Sequence, residues 1–241
     1  MADISWRANP WVWVVSFKVL STTGRPGIGA VERPMLFSTD MVEALLDGRK
    51  TMTRRVLTPQ IISNDGWYNW INESNRKISL VQWLSKEDFL KQVVTCCPYG
   101  KPGDILWVRE TWAKVHHSSY RQSNGVIQMP LDDIYVAVFK AGWSTCTPSW
   151  KPSIHMPKVA ARIWLQITDV RLELLQDTSE SDAAAEGVAF RDDMHTRRIY
   201  RDYLTPNTPW LHSRNGRPFT AVDSFQSLWE SINNKKGASH G

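Results

Sequence analysis

Residues 49–55, Arg-Lys-Thr-Met-Thr-Arg-Arg, set one amine, two hydroxyls and three guanidiniums side by side immediately after Gly48. Arg49, Arg54 and Arg55 are of the type that holds phosphates or stacks on a base. His155, in a Pro-bounded loop, and Arg162 further along are candidates to line a ligand pocket. Familiar alternatives are missing: the chain has no Walker A loop, no GxGxxG, no HExxH and no GxSxG. Cys96 and Cys97 are adjacent rather than spaced as a CxxC pair, and Cys146 sits in a Pro/Ser/Thr loop. With His116 and His117 these do not have zinc-ligand spacing, so neither metal nor cofactor is expected. The chemistry left to the chain must use lysine, threonine and carboxylates.

Composition supports a folded, water-exposed chain. Of 241 residues, 42% are hydrophobic and 11% aromatic, enough for a sizeable core and too many for disorder. No apolar run approaches the ~18–20 residues of a membrane span, so no membrane association is expected. The start, Met1-Ala2-Asp3, lacks the basic region of a secretory signal. Three cysteines cannot build a disulfide framework, which points to a reducing, cytoplasmic setting. The net charge of +5 permits a polyanionic partner without requiring one. The 13 tryptophans read first as core, and second as base-stacking surfaces.

The elements that must hold the candidate residues follow from periodicity. Trp11 to Leu20 is β-branched and aromatic, a buried strand. Ser21 to Ala30, with Gly24, Pro26, Gly27 and Gly29, reads as a linker. Asp40 and Glu43 suggest a capping box for a short helix with Met41, Val42, Leu45 and Leu46 on its apolar face, ending at Gly48. Residues 60–95 and 116–157 read as insertions, the first with a helix over Ser85 to Val93 and the second with a strand near Ile134 to Lys140. Ile105 to Val115 is predicted as one strand and Ala161 to Leu175 as a long or bent one. A helix capped by Thr178 or Ser179 stops at Gly187, and another near Val222 to Ile232 carries Val222, Phe225, Leu228, Trp229 and Ile232 on one stripe. Asp104, after Gly103, reads as a turn-fixing residue. The expected fold class is α+β, a single domain over residues 1–241 around a small, mostly antiparallel barrel.

Three segments taken in order resemble the ASCH family, whose members are small PUA-like barrels that handle RNA or nucleosides. They are Gly48-Arg49-Lys50-Thr51-Met52-Thr53-Arg54-Arg55, Lys101-Pro102-Gly103-Asp104, and the Ser/Thr-capped helix carrying Glu186. The strings around Arg33 to Ser38, Cys97 to Gly100 and Pro152 to Pro157 look like the larger phage and prophage ASCH proteins. The similarity spans Val31 to Lys236. It departs in one respect: the family's closing strand, aromatic-Val-Ile-x-Phe-Lys, is matched here by Trp13 to Val19 near the N-terminus. The order therefore looks circularly permuted, residues 4–20 being the displaced strand and 21–30 the join.

The resemblance implies an activity. One branch of the family hydrolyses N4-acetylcytidine with a lysine, a threonine three residues later and a distant glutamate, which fall on Lys50, Thr53 and Glu186. Amide hydrolysis needs a nucleophile, an acceptor for its proton and a donor to the departing amine. Thr53 supplies a hydroxyl, and Lys50 can act as base where burial or neighbouring arginines favour its neutral form. Glu186 falls in the last turn of its helix, where the macrodipole disfavours negative charge, as suits a proton-transferring group. In a regular strand positions 50 and 53 point to opposite faces, so their cooperation requires the chain to be still turning after Gly48. Two other readings share these residues: a non-catalytic reader of RNA or modified DNA that uses the arginines as a phosphate clamp, and a phage assembly or interaction protein.

Overall fold

In a computed structural model the described residues are 3–27, 30–64, 67–71, 77–79, 85–119, 128–143, 148–193, 198–205 and 210–233. Cys146 and the segment 234–241, which the expected permutation would join to Ile4, lie outside them. The strands are β1 (Trp11–Ser21), β2 (Glu32–Leu36), β3 (Met52–Val56), β4 (Ile62–Asn64), β5 (Trp67–Ile71), β6 (Lys77–Ser79), β7 (Ile105–Arg109), β8 (Trp112–His116), β9 (Met129–Pro130), β10 (Tyr135–Phe139), β11 (Trp164–Leu174), β12 (Phe190–Asp192), β13 (Arg198–Arg201), β14 (Trp210–Leu211), β15 (Ser213–Arg214) and β16 (Arg217–Pro218). The helices are α1 (Thr39–Leu46), α2 (Lys86–Val94), α3 (Glu180–Ala185) and α4 (Ala221–Asn233). The fold is thus α+β. Among the described residues the strands form open sheets, the largest ordered β2-β7-β11-β1-β3, and none closes into a barrel.

The chain divides into two compact units, neither contiguous in sequence: residues 1–15, 52–97 and 170–241 form the first, and residues 16–51 and 98–169 the second. The core of the first gathers Val12, Val14, Met52, Leu175, Val188, Phe225, Leu228 and Trp229. That of the second gathers Ile105, Trp107, Trp112, Phe139, Met156 and Trp164. Both uses of tryptophan as core filler follow the composition. Val12 to Val15 are all buried, so this part of β1 is covered on both faces, as its unbroken apolar run requires.

Local chemistry sets the helix ends. Ser38 caps α1 by accepting from the Met41 N–H, so the expected Asp40/Glu43 box is replaced by a serine two residues upstream. Ser85 caps α2 and Ser179 caps α3 in the same way. Thr220 and Asp223 cap α4 reciprocally, the Asp223 N–H donating to Thr220 Oγ1 at 3.3 Å and the Thr220 N–H to Asp223 Oδ2 at 3.0 Å. On α4, Phe225, Leu228 and Trp229 are buried, whereas Ile232 ends the stripe in solvent.

Three other expectations change. Ile105 to Val115 is two strands, β7 and β8, broken at Glu110 and Thr111 and belonging to different sheets. The presumed linker is anchored: the Gly24 N–H donates to the Arg162 carbonyl at 3.1 Å and Arg25 pairs with Glu32. Residues 60–95 hold their own small sheet, β4-β5-β6, besides α2. Asp104 does fix a turn. Its carboxylate accepts from the Lys101 N–H and pairs with Arg33 at 2.6 Å. A side chain on Gly100, whose φ is +115°, would meet that carboxylate at 2.6 Å, so only glycine fits there.

Candidate active site

In the first unit, β3 carries Thr53, Arg54 and Arg55 out of the turn after α1. The Arg54 side chain is fully buried and its guanidinium meets three carboxylates: Asp182 at 2.8 Å, Glu173 at 3.0 Å and Glu186 at 3.4 Å. Arg171 braces two of these, bonding Glu173 at 2.5 Å and Asp182 at 2.9 Å. The spacing explains the convergence. Arg171 and Glu173 alternate onto one face of β11. Asp182 and Glu186 stand four apart on α3, and the Glu186 N–H closes that turn on the Asp182 carbonyl at 2.9 Å. Two like charges at that spacing repel, and Arg54 between them removes the penalty. Glu186 is the C-cap residue of α3, and Gly187 leaves the helix at φ +83°, where a side chain would be strained.

Glu186 is 2% exposed and Thr53 only 1%. The Thr53 hydroxyl oxygen is buried and has no hydrogen-bond partner among the described residues. An orphaned buried hydroxyl costs on the order of 1–3 kcal/mol. In a strand interior a valine would avoid that cost, so the hydroxyl is an expense the fold itself does not require.

In the second unit, Lys50 is 0% exposed, contrary to the solvated face that a run of basic residues suggests. The backbone is still turning after Gly48. The N–H groups of Arg49 and Lys50 both donate to the Ala44 carbonyl, at 2.9 and 3.0 Å, before β3 begins. The Lys50 Nζ stands 5.7 Å from the centre of the Phe37 ring. Arg49 is partly exposed and pairs with Asp47 at 2.9 Å. His155 ends a short 3-10 turn, Ser153–His155, with its side chain exposed.

Arg162 is buried and bound in two places to Glu110, at 2.9 and 2.8 Å, with a third bond to the Ala141 carbonyl at 3.1 Å. Its guanidinium lies over the Phe139 ring at 4.3 Å. Glu110 was not singled out from the sequence. The one available signal is an acidic residue directly after the apolar strand Ile105–Arg109. Burial pushes its carboxyl above the usual range, and the two bonds from Arg162 offset this only in part.

Arg54 and Arg162, expected to contact phosphate or substrate, therefore both spend their guanidiniums on carboxylates. Arg55 is half-buried on β3. Among the described residues no group of three or more His, Cys, Asp or Glu is arranged to hold a metal ion, and no helix is long and apolar enough to cross a membrane. No protein-family profile, no curated protein and no solved structure matches the chain.

Proposed function

We propose that the chain is an amidohydrolase acting on an N4-acylated cytosine nucleoside or a related nucleobase amide, with Lys50, Thr53 and Glu186 as its reacting side chains. One observation carries the reading. The three polar residues picked out by the ASCH resemblance are 0%, 1% and 2% exposed, and the Thr53 hydroxyl has no partner among the described residues. Residues of these types are rarely buried without a task.

In this scheme Thr53 Oγ1 adds to the acyl carbon as its hydroxyl proton passes to a base, the part the resemblance gives to Lys50. Burial takes Lys50 out of water, the condition under which an amine serves as a base. The C–N bond breaks as a proton passes to N4, with Glu186 as the carboxyl that shuttles it. Water then cleaves the threonyl ester, releasing the carboxylic acid and restoring the hydroxyl. The Arg54 guanidinium orients Glu186 and balances its charge, a positioning role in place of a phosphate contact. Arg49, Arg55 and His155 remain the candidates to touch substrate.

The same reading extends to the fold, as a PUA-like core in circularly permuted order whose sheets are open among the described residues. Two observations support it. The displaced strand β1 stands between β11 and β3 in the large sheet, and the Ile4 carbonyl accepts from Trp229 Nε1 of α4 at 2.9 Å.

The experiment is to incubate the protein with N4-acetylcytidine and follow the ultraviolet spectrum. Conversion to cytidine that persists in chelator supports the assignment. Tight nucleic-acid binding without conversion replaces it with the reader.

A further inference from the structure

We propose that the face of β12 and β13 that carries Phe190, Tyr200 and Arg198 forms a platform for single-stranded nucleic acid. On the amidohydrolase reading above, the target base then reaches Glu186 as part of a strand.

All three residues of the edge strand β12 are exposed, including Phe190, an aromatic ring 36% exposed. Phe190 stands opposite Tyr200 in register, with ring centres 6.3 Å apart, and the Arg198 guanidinium lies 4.5 Å over the Phe190 ring. On the other face of β12, Arg191 lies 5.0 Å over the Trp210 ring. Neither Arg191 nor Arg198 has a carboxylate within ion-pair distance among the described residues, unlike Arg214 and Arg217 nearby, which are paired with Asp202 and Asp223. A guanidinium held over a ring and paired with no carboxylate keeps N–H donors for phosphate. The exposed Phe190 ring, with half-buried Tyr200 opposite it and such a donor beside it, matches what single strands require, namely stacking for unpaired bases and cations for the backbone.

The platform is joined directly to the proposed site. Phe190 follows Glu186 by four residues, so their Cα atoms are at most about 14 Å apart, the length of roughly four stacked bases. The connection is held, since the Ala189 N–H donates to the Tyr203 hydroxyl and the Arg201 N–H to the Ala189 carbonyl, both at 3.0 Å. Asp192 sits opposite Arg198 in register and bears the opposing charge, which makes the platform weaker than Arg198 alone would give.

The test is fluorescence anisotropy of the full chain with a labelled single strand of about 12 nucleotides, as RNA and as DNA, and with the matching duplex, across a salt series. The single strand is expected to bind more tightly than the duplex. Phe190→Ala should weaken binding about tenfold, the loss of one stacked base. Arg198→Ala should lower the slope of log affinity against log salt by about 0.7. Asp192→Asn should tighten binding. Equal binding of duplex and single strand, no binding of either, or unchanged affinity and slope in the Arg198→Ala variant would overturn the proposal. Because this titration reads no turnover, the two readings fail separately. Binding without hydrolysis of N4-acetylcytidine refutes only the enzyme, and hydrolysis without binding refutes only the platform.

Discussion

Replacing Thr53 by valine exchanges one hydroxyl for a methyl and leaves the β-branched shape that β3 accommodates. A threonine whose hydroxyl is satisfied loses about 1 kcal/mol in this exchange, because a hydrogen bond disappears. Here the Thr53 oxygen is buried without a partner among the described residues, so the exchange removes a desolvation penalty instead. The expected change is a gain of roughly 1–3 kcal/mol. For a chain of this size it corresponds to a rise in melting temperature of about 2–12 °C, at ~2–4 °C per kcal/mol. Differential scanning calorimetry of the two proteins reads it directly. The same variant should lose turnover, whereas Thr53→Ser keeps the hydroxyl and should retain some. A fall in melting temperature for Thr53→Val would mean that the hydroxyl has a partner and that its burial is structural. Full activity in a more stable Thr53→Val protein would leave the burial argument standing and remove Thr53 as nucleophile.

Other outcomes follow from the charge networks. Arg54→Met should cost about 3 kcal/mol in urea unfolding, since it strips the shared cation from Glu186, Asp182 and Glu173, two of which keep some water contact. Glu110, whose carboxyl is raised chiefly by burial, binds its proton more tightly folded than unfolded. Its contribution is fully present below the ordinary glutamate range and is lost as pH rises through the folded value, so Glu110→Gln should flatten stability over that window. Asp223 has the opposite sign. Burial raises its pKa, but the bonds from Arg217 and Thr220 outweigh burial and hold it below the usual range. Its contribution is present above the unfolded value and is lost as pH falls through the folded one, and Asp223→Ala should cost about 1 kcal/mol as a lost cap, with little from the exposed Arg217.

Elements whose signals are local could be read from the sequence. The serine before α3, the helix α2 to within a residue at either end, and the β-branched run of β1 each stand where the structure has them. What could not be read depends on distance along the chain. Arg54 meets Glu173 and Asp182 across 119 and 128 residues, and Arg162 meets Glu110 across 52. In the sequence Asp182 and Glu173 look like ordinary solvated charges, and the arginines like a phosphate face. The burial of Lys50 was hidden for the same reason: a lysine flanked by arginines carries no local sign of leaving water. The break between β7 and β8 has no Gly or Pro to mark it, only Glu110, whose partner lies far away.

The most direct measurement of the central claim compares Lys50→Ala with the parent protein in both hydrolysis of N4-acetylcytidine and retention of the nucleoside. The account predicts that kcat falls by orders of magnitude while the ligand still binds, because proton transfer matters chiefly in the transition state. Turnover left intact by Lys50→Ala, with only binding lost, would contradict it.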